Sequence, residues 1–75
     1  ATLRLFAGAR EAAGTGSAQF DGGTVGEVLA AAVVRYGESF QTVLGSCRVW
    51  VNGDAADPQT VVGVEDEVAV LPPVS

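Results

Sequence analysis

Thr24-Val25-Gly26-Glu27-Val28-Leu29-Ala30-Ala31-Ala32-Val33-Val34-Arg35-Tyr36-Gly37 carries the strongest helix signal in the chain. Threonine followed three residues later by glutamate forms a capping box. In it the hydroxyl accepts from the third backbone N–H and the carboxylate reaches back. Val25, Val28, Leu29, Ala32, Val33 and Tyr36 then recur at helical spacing on one face. Arg35 suits the negative end of the helix dipole, and Gly37 supplies a stop. The stretch predicts one amphipathic helix of about 12 residues, with a single apolar stripe to bury.

Strand signals lie on both sides of it. Upstream, Thr2 to Ala7 alternates, with Leu3 and Leu5 on one face and Thr2, Arg4 and Phe6 on the other. Gly8 to Gly16 reads as a Gly/Ala-rich turn, Ser17 to Phe20 as a returning strand, and Asp21-Gly22-Gly23 as a breaker. Downstream, Glu38 to Ser46 reads as irregular and Cys47 to Asn52 as a strand. Asn52-Gly53 is a two-residue hairpin signal, because both central positions of a type I′ turn need positive φ. Asp54-Ala55-Ala56 is a weak return strand that Asp57-Pro58 interrupts, and Thr60-Val61-Val62 is a bridging turn or short strand. Glu67 to Leu71 is the last strand. Pro72-Pro73 ends it, since proline lacks the ladder N–H and fixes φ. The order β-β-α-β-β-β predicts an α+β fold in which one main helix covers one face of a mixed four- to five-stranded sheet. No repeat and no linker divides residues 1–75, so they read as a single domain.

Composition narrows the chemistry. Of the 75 residues 48% are apolar, enough for a core, although a chain of this size buries only about 60–65% of its unfolded surface. Histidine is absent and Cys47 is the one cysteine, which excludes an internal disulfide, a Cys/His zinc site and a four-cysteine cluster. The commonest general base is missing too. Without lysine there is neither a Walker-type phosphate loop nor Schiff-base chemistry. Arg4, Arg10, Arg35 and Arg48 stand against nine acidic residues, for a net charge of −5. That balance disfavours nucleic acid; taken alone, it would attract a basic protein surface or simply aid solubility. No apolar run approaches the ~20 residues that span a bilayer, and no signal-peptide pattern is present, so neither a membrane nor secretion is expected. A reducing cytoplasmic location is the expectation.

Alternation across the sheet marks a candidate surface. If the helix covers Leu3, Leu5, Val49, Val51, Val68 and Val70, the opposite face carries Phe6, Trp50 and Leu71 beside Arg4, Arg48 and Glu67. An apolar group rimmed by charge on an uncovered sheet face marks a protein partner. Other candidates are weaker. Cys47 falls on the apolar side of its strand and reads as an inert, buried thiol. Glu65-Asp66-Glu67 reads as a solvated turn, because three adjacent acids do not converge on one ion. Gly14-Thr15-Gly16 precedes no helix expected from the sequence and supports no nucleotide fingerprint. No catalytic residue and no metal ligand is expected within the chain. Pro72, Pro73, Val74 and Ser75 read as a stiff tail built to be inserted into a partner.

Four segments together carry a resemblance. They are Phe6-Ala7-Gly8-Ala9-Arg10-Glu11-Ala12-Ala13-Gly14, Thr24-Val25-Gly26-Glu27-Val28-Leu29, Val51-Asn52-Gly53, and Asp66-Glu67-Val68-Ala69-Val70-Leu71-Pro72-Pro73-Val74-Ser75. In order along the whole chain, they resemble the MoaD/ThiS-type ubiquitin-like sulfur carriers, and within them the small subunits of molybdopterin synthases. The resemblance implies a β-grasp fold and a Gly-Gly pair just after the position of Ser75. It implies that a ubiquitin-activating-type adenylyltransferase uses ATP to activate the terminal carboxylate. A sulfurtransferase or cysteine desulfurase then supplies sulfur to make a thiocarboxylate, and the tail enters the large subunit to deliver that sulfur to a pterin precursor of the molybdenum cofactor. No bound cofactor is implied. Phe6, Arg10, Trp50 and Leu71 would meet the partners. The same resemblance admits a carrier for thiamine or cysteine synthesis, or a ubiquitin-like interaction module that transfers nothing. The chain departs from the pattern at Glu65, where the family commonly has glycine, at Trp50, which is larger than usual there, and in ending at Ser75 without Gly-Gly.

Overall fold

The computed structural model describes residues 1–72; the expectations for Pro73, Val74 and Ser75 lie outside the described residues. Five strands and three helices follow in the order β1 (Thr2–Leu5), α1 (Ala7–Ala13), β2 (Ser17–Gln19), α2 (Val25–Tyr36), α3 (Glu38–Leu44), β3 (Arg48–Val51), β4 (Asp54–Ala55) and β5 (Glu67–Leu71). The strands form one mixed sheet in the order β2-β1-β5-β3-β4. First and last strands lie side by side and parallel at its centre, with Leu3 opposite Val68 and Leu5 opposite Val70. The other pairs are antiparallel. This is the β-grasp architecture, with α2 as its main helix.

The helix read from the sequence spans its expected 12 residues. The Thr24 side chain accepts from the Glu27 N–H at 3.2 Å, as a capping box requires. The glutamate closes it differently, accepting from the Thr24 hydroxyl at 3.5 Å. Val25, Val28 and Ala32 are buried against Leu3, Leu5, Val68 and Val70. Complete burial of each of those four strand side chains is worth about 1.5–3 kcal/mol. The helices therefore cover one sheet face, and the alternating residues of β1, β3 and β5 point to the other.

Two stretches differ from the sequence reading. Gly8 to Gly16, read as a turn, contains α1, and Glu38 to Ser46, read as irregular, contains α3. Both helices are only seven residues long, too short to show a periodic apolar stripe. Each is held by tertiary packing rather than by propensity. Ala9 of α1 and Phe40 of α3 are both fully buried, and Ala12, Ala13, Val43 and Leu44 pack against the core. Gly14 ends α1 at φ 78°, its N–H donating to the Arg10 carbonyl at 2.9 Å. Gly37, at φ 93°, turns the chain from α2 into α3.

The hairpin matches its signal, with Asn52 at φ 50° and Gly53 at φ 88°. Thr60 to Val62 forms a bridge rather than a strand, Val61 pairing with Thr24. Glu65 sits in a turn closed by the Asp66 N–H donating to the Gly63 carbonyl at 3.1 Å. Its φ is not positive, so the turn needs no glycine at that position.

Candidate functional site on the helix-free sheet face

Three neighbouring strands build the face. Register puts Arg4 and Trp50 on either side of Ala69, and Arg48 opposite Leu71. Phe6 follows β1 directly, its N–H donating to the Val70 carbonyl at 3.2 Å, which brings it beside the end of β5. The expected trio thus shares the helix-free face. Phe6 is 38% exposed, while Trp50 and Leu71 are half-buried. Alanines stand opposite Trp50 on both neighbouring strands, Ala69 and Ala55, and leave room for the indole. Val34, Val61 and Val64 are more exposed than any of the trio, but they lie on α2 and in the segment before β5. Single exposed hydrophobes of that kind are ordinary.

Charge surrounds the apolar group. The Arg4 guanidinium lies 5.8 Å from the Phe6 ring centroid and 3.4 Å from a Glu67 carboxylate oxygen. Both charged side chains are about half exposed, so that pair contributes little to stability, about 0–1 kcal/mol. Arg10, from α1, joins Arg4, Phe6 and Ser17 in lining an open groove of about 360 Å³. Strand alternation, with a turn in place of α1, gives no means of setting Arg10 beside Arg4; only the family resemblance points to Arg10. An Ala-rich run closed by Gly14 was the available signal for that helix.

The remaining candidates are dispersed. Cys47 precedes β3, half-buried against the core, and its Sγ donates to the Val43 carbonyl at 3.2 Å. Burial pushes the thiol above its ordinary range, away from the reactive thiolate. Glu65, Asp66 and Glu67 have separate surroundings. Asp66 accepts from the Gly63 N–H and from Asn52, Glu67 pairs with Arg4, and Glu65 is exposed. Pro72 follows β5 immediately, so whatever leaves the sheet there starts at the edge of the Phe6–Leu71 group. The arrangement suits docking to a protein surface, and no group of the described face is placed for acid–base or nucleophilic chemistry.

Comparison with known proteins gives the fold its relatives. The model of the ThiS family matches residues 3–75. Small archaeal modifier protein 1 from Methanosarcina acetivorans superposes with a TM-score of 0.89 at 29% identity, over 99% of this chain and 92% of that one. A putative molybdopterin converting factor subunit 1 from Pyrococcus furiosus gives a TM-score of 0.81 at 23% identity, over 97% and 95%. In the complex of subunits 1 and 2 of the Helicobacter pylori molybdopterin-converting factor, the matching chain gives 0.70 at 21%, over 99% and 93%. Among curated proteins nothing matches. The chain belongs to the ThiS family, and so to the ubiquitin-like sulfur carriers.

Proposed function

We propose that this chain is the sulfur-carrying small subunit of a molybdopterin synthase, acting in the cytoplasm. One observation carries the reading furthest: β5 brings Leu71 into the docking face and runs straight into Pro72, so the face and the root of the tail are adjacent. A domain docked through Phe6, Trp50 and Leu71 would then aim its C-terminus into the same partner. Four residues from Pro72 plus two glycines reach about 20 Å. The prolines restrict the free tail and so reduce the entropy lost on insertion.

The chemistry belongs to the carboxylate at the tip. An adenylyltransferase joins it to AMP with release of pyrophosphate. The terminal sulfur of a persulfide on a sulfurtransferase or cysteine desulfurase displaces AMP to give an acyl disulfide. A thiol reductant cleaves its S–S bond to leave the thiocarboxylate, and the large subunit passes that sulfur to the pterin precursor. The likeness to the two converting-factor subunits supports this pathway. The higher identity to the archaeal modifier protein favours a second reading, in which the activated carboxylate modifies another protein instead.

Reconstitution with precursor, activating enzyme, sulfur source and large subunit tests the proposal. A form extended by Gly-Gly after Ser75 should yield molybdopterin. Extension by Gly-Gly-Ala should not, because the carboxylate then lies about 3.5 Å beyond its target. Product from a form ending at Ser75 would contradict it.

A further inference from the structure

The charge on the docking face has the opposite sign to that of the whole chain. Net charge is −5, yet three of the four cations gather around the apolar group. Arg4 and Arg48 flank β5 from its two neighbours, opposite Ala69 and Leu71, and Arg10 reaches the same side through the groove it lines with Arg4 and Phe6. Of the nine acidic residues, Glu67 alone alternates onto this face within β1, β3 and β5, and it is taken up by Arg4. Arg10 and Arg48 have no ion pair among the described residues. The fourth cation, Arg35, belongs to the other side of the molecule, stacked 4.5 Å over the Phe20 ring.

We infer that the protein surface docking here presents carboxylates around its apolar centre, placed to meet Arg10 and Arg48. This rests on the docking reading above and reverses the basic partner that net charge alone suggests. Local complementarity governs encounter at short range, because charges beyond a Debye length of about 8–10 Å are screened. The apolar trio would supply affinity, and the arginines would supply orientation and association rate.

Association rates with the large subunit and with the activating adenylyltransferase, measured from low to high salt, decide the matter. Two double variants change net charge equally: Arg10→Gln with Arg48→Gln on the face, and Val34→Glu with Gln41→Glu at exposed positions on α2 and α3. The face variant should associate about tenfold more slowly at low salt and lose most of its salt dependence, while the helix variant stays close to the parent. Equal slowing of both variants would overturn the inference, since net charge would then be the cause. So would a parent whose association speeds up with salt. Leu71→Arg separates the two readings. If it abolishes binding while the arginine variant binds as the parent does, docking stands and the acidic rim falls. If it binds undiminished, the docking face itself is wrong.

Discussion

Asn52 and Asp66 lock the hairpin to the start of the last strand: the Asn52 amide donates to the Asp66 carboxylate at 3.0 Å. The orientation of that amide is set from its other end, where its oxygen accepts from the Glu67 N–H at 3.0 Å. The second Asp66 oxygen accepts from the Gly63 N–H at 2.8 Å. One carboxylate thus closes the turn before β5 and holds the strand that carries Leu71.

That relationship has a pH signature. The Gly63 N–H first, then the Asn52 amide, hold the Asp66 carboxyl below the usual carboxylate range. A folded-state value below the unfolded one adds stability that is fully present above the unfolded value, near 4, and is lost as pH falls through the folded value. Between neutral pH and about pH 5 this contribution should be flat, and it should decline below that. Asp66→Asn should be less stable than the parent at neutral pH, with the gap narrowing in acid. Denaturant midpoints against pH test this, and a gap that widens in acid would contradict it.

Leu71→Arg should weaken binding to both the large subunit and the activating enzyme by more than about 2 kcal/mol, as loss of a central anchor does. Leu71 is half-buried at the end of its strand, outside the buried core, so folding should persist. Calorimetric titration against each partner, with circular dichroism of the variant, checks both halves.

Cys47→Ala should still be thiocarboxylated in a Gly-Gly-extended carrier. The thiol is held by the Val43 carbonyl against the core, and burial disfavours its thiolate. A folded variant that fails to gain sulfur would give the cysteine a chemical role.

Tyr36→Phe should cost no stability and is expected to add up to about 1 kcal/mol. The Tyr36 hydroxyl is buried without a hydrogen-bond partner among the described residues. The ring contacts with Phe20 and Phe40, at centroid distances of 6.0 and 5.2 Å, survive the change. Urea midpoints measure it, and a loss above about 1 kcal/mol would reveal a partner for the hydroxyl.

Much of this fold is written in local pattern. Leu3, Leu5, Val68 and Val70 alternate cleanly because one sheet face is buried, and Thr24 caps a helix long enough to show its stripe. Asn52-Gly53 states its own turn. The helices α1 and α3 are not legible in the pattern, because seven residues are too short to show a stripe and each is placed by packing of Ala9 or Phe40 and their neighbours against the core. The site divides the same way. Phe6, Trp50 and Leu71 follow from alternation, whereas the approach of Arg10 depends on a helix that only packing creates. Charge sign followed too, but not its distribution, since composition carries no geometry.

In the proposed function, this chain acts through the carboxylate at the end of its tail. Intact-mass analysis tests it most directly, on the Gly-Gly-extended protein incubated with the activating enzyme, ATP and a sulfur donor. The expected result is a stoichiometric gain equal to the exchange of one oxygen for sulfur, located in the C-terminal peptide and absent when ATP is withheld. An unchanged mass in the presence of a fully active enzyme, or sulfur found on Cys47 instead, would contradict it.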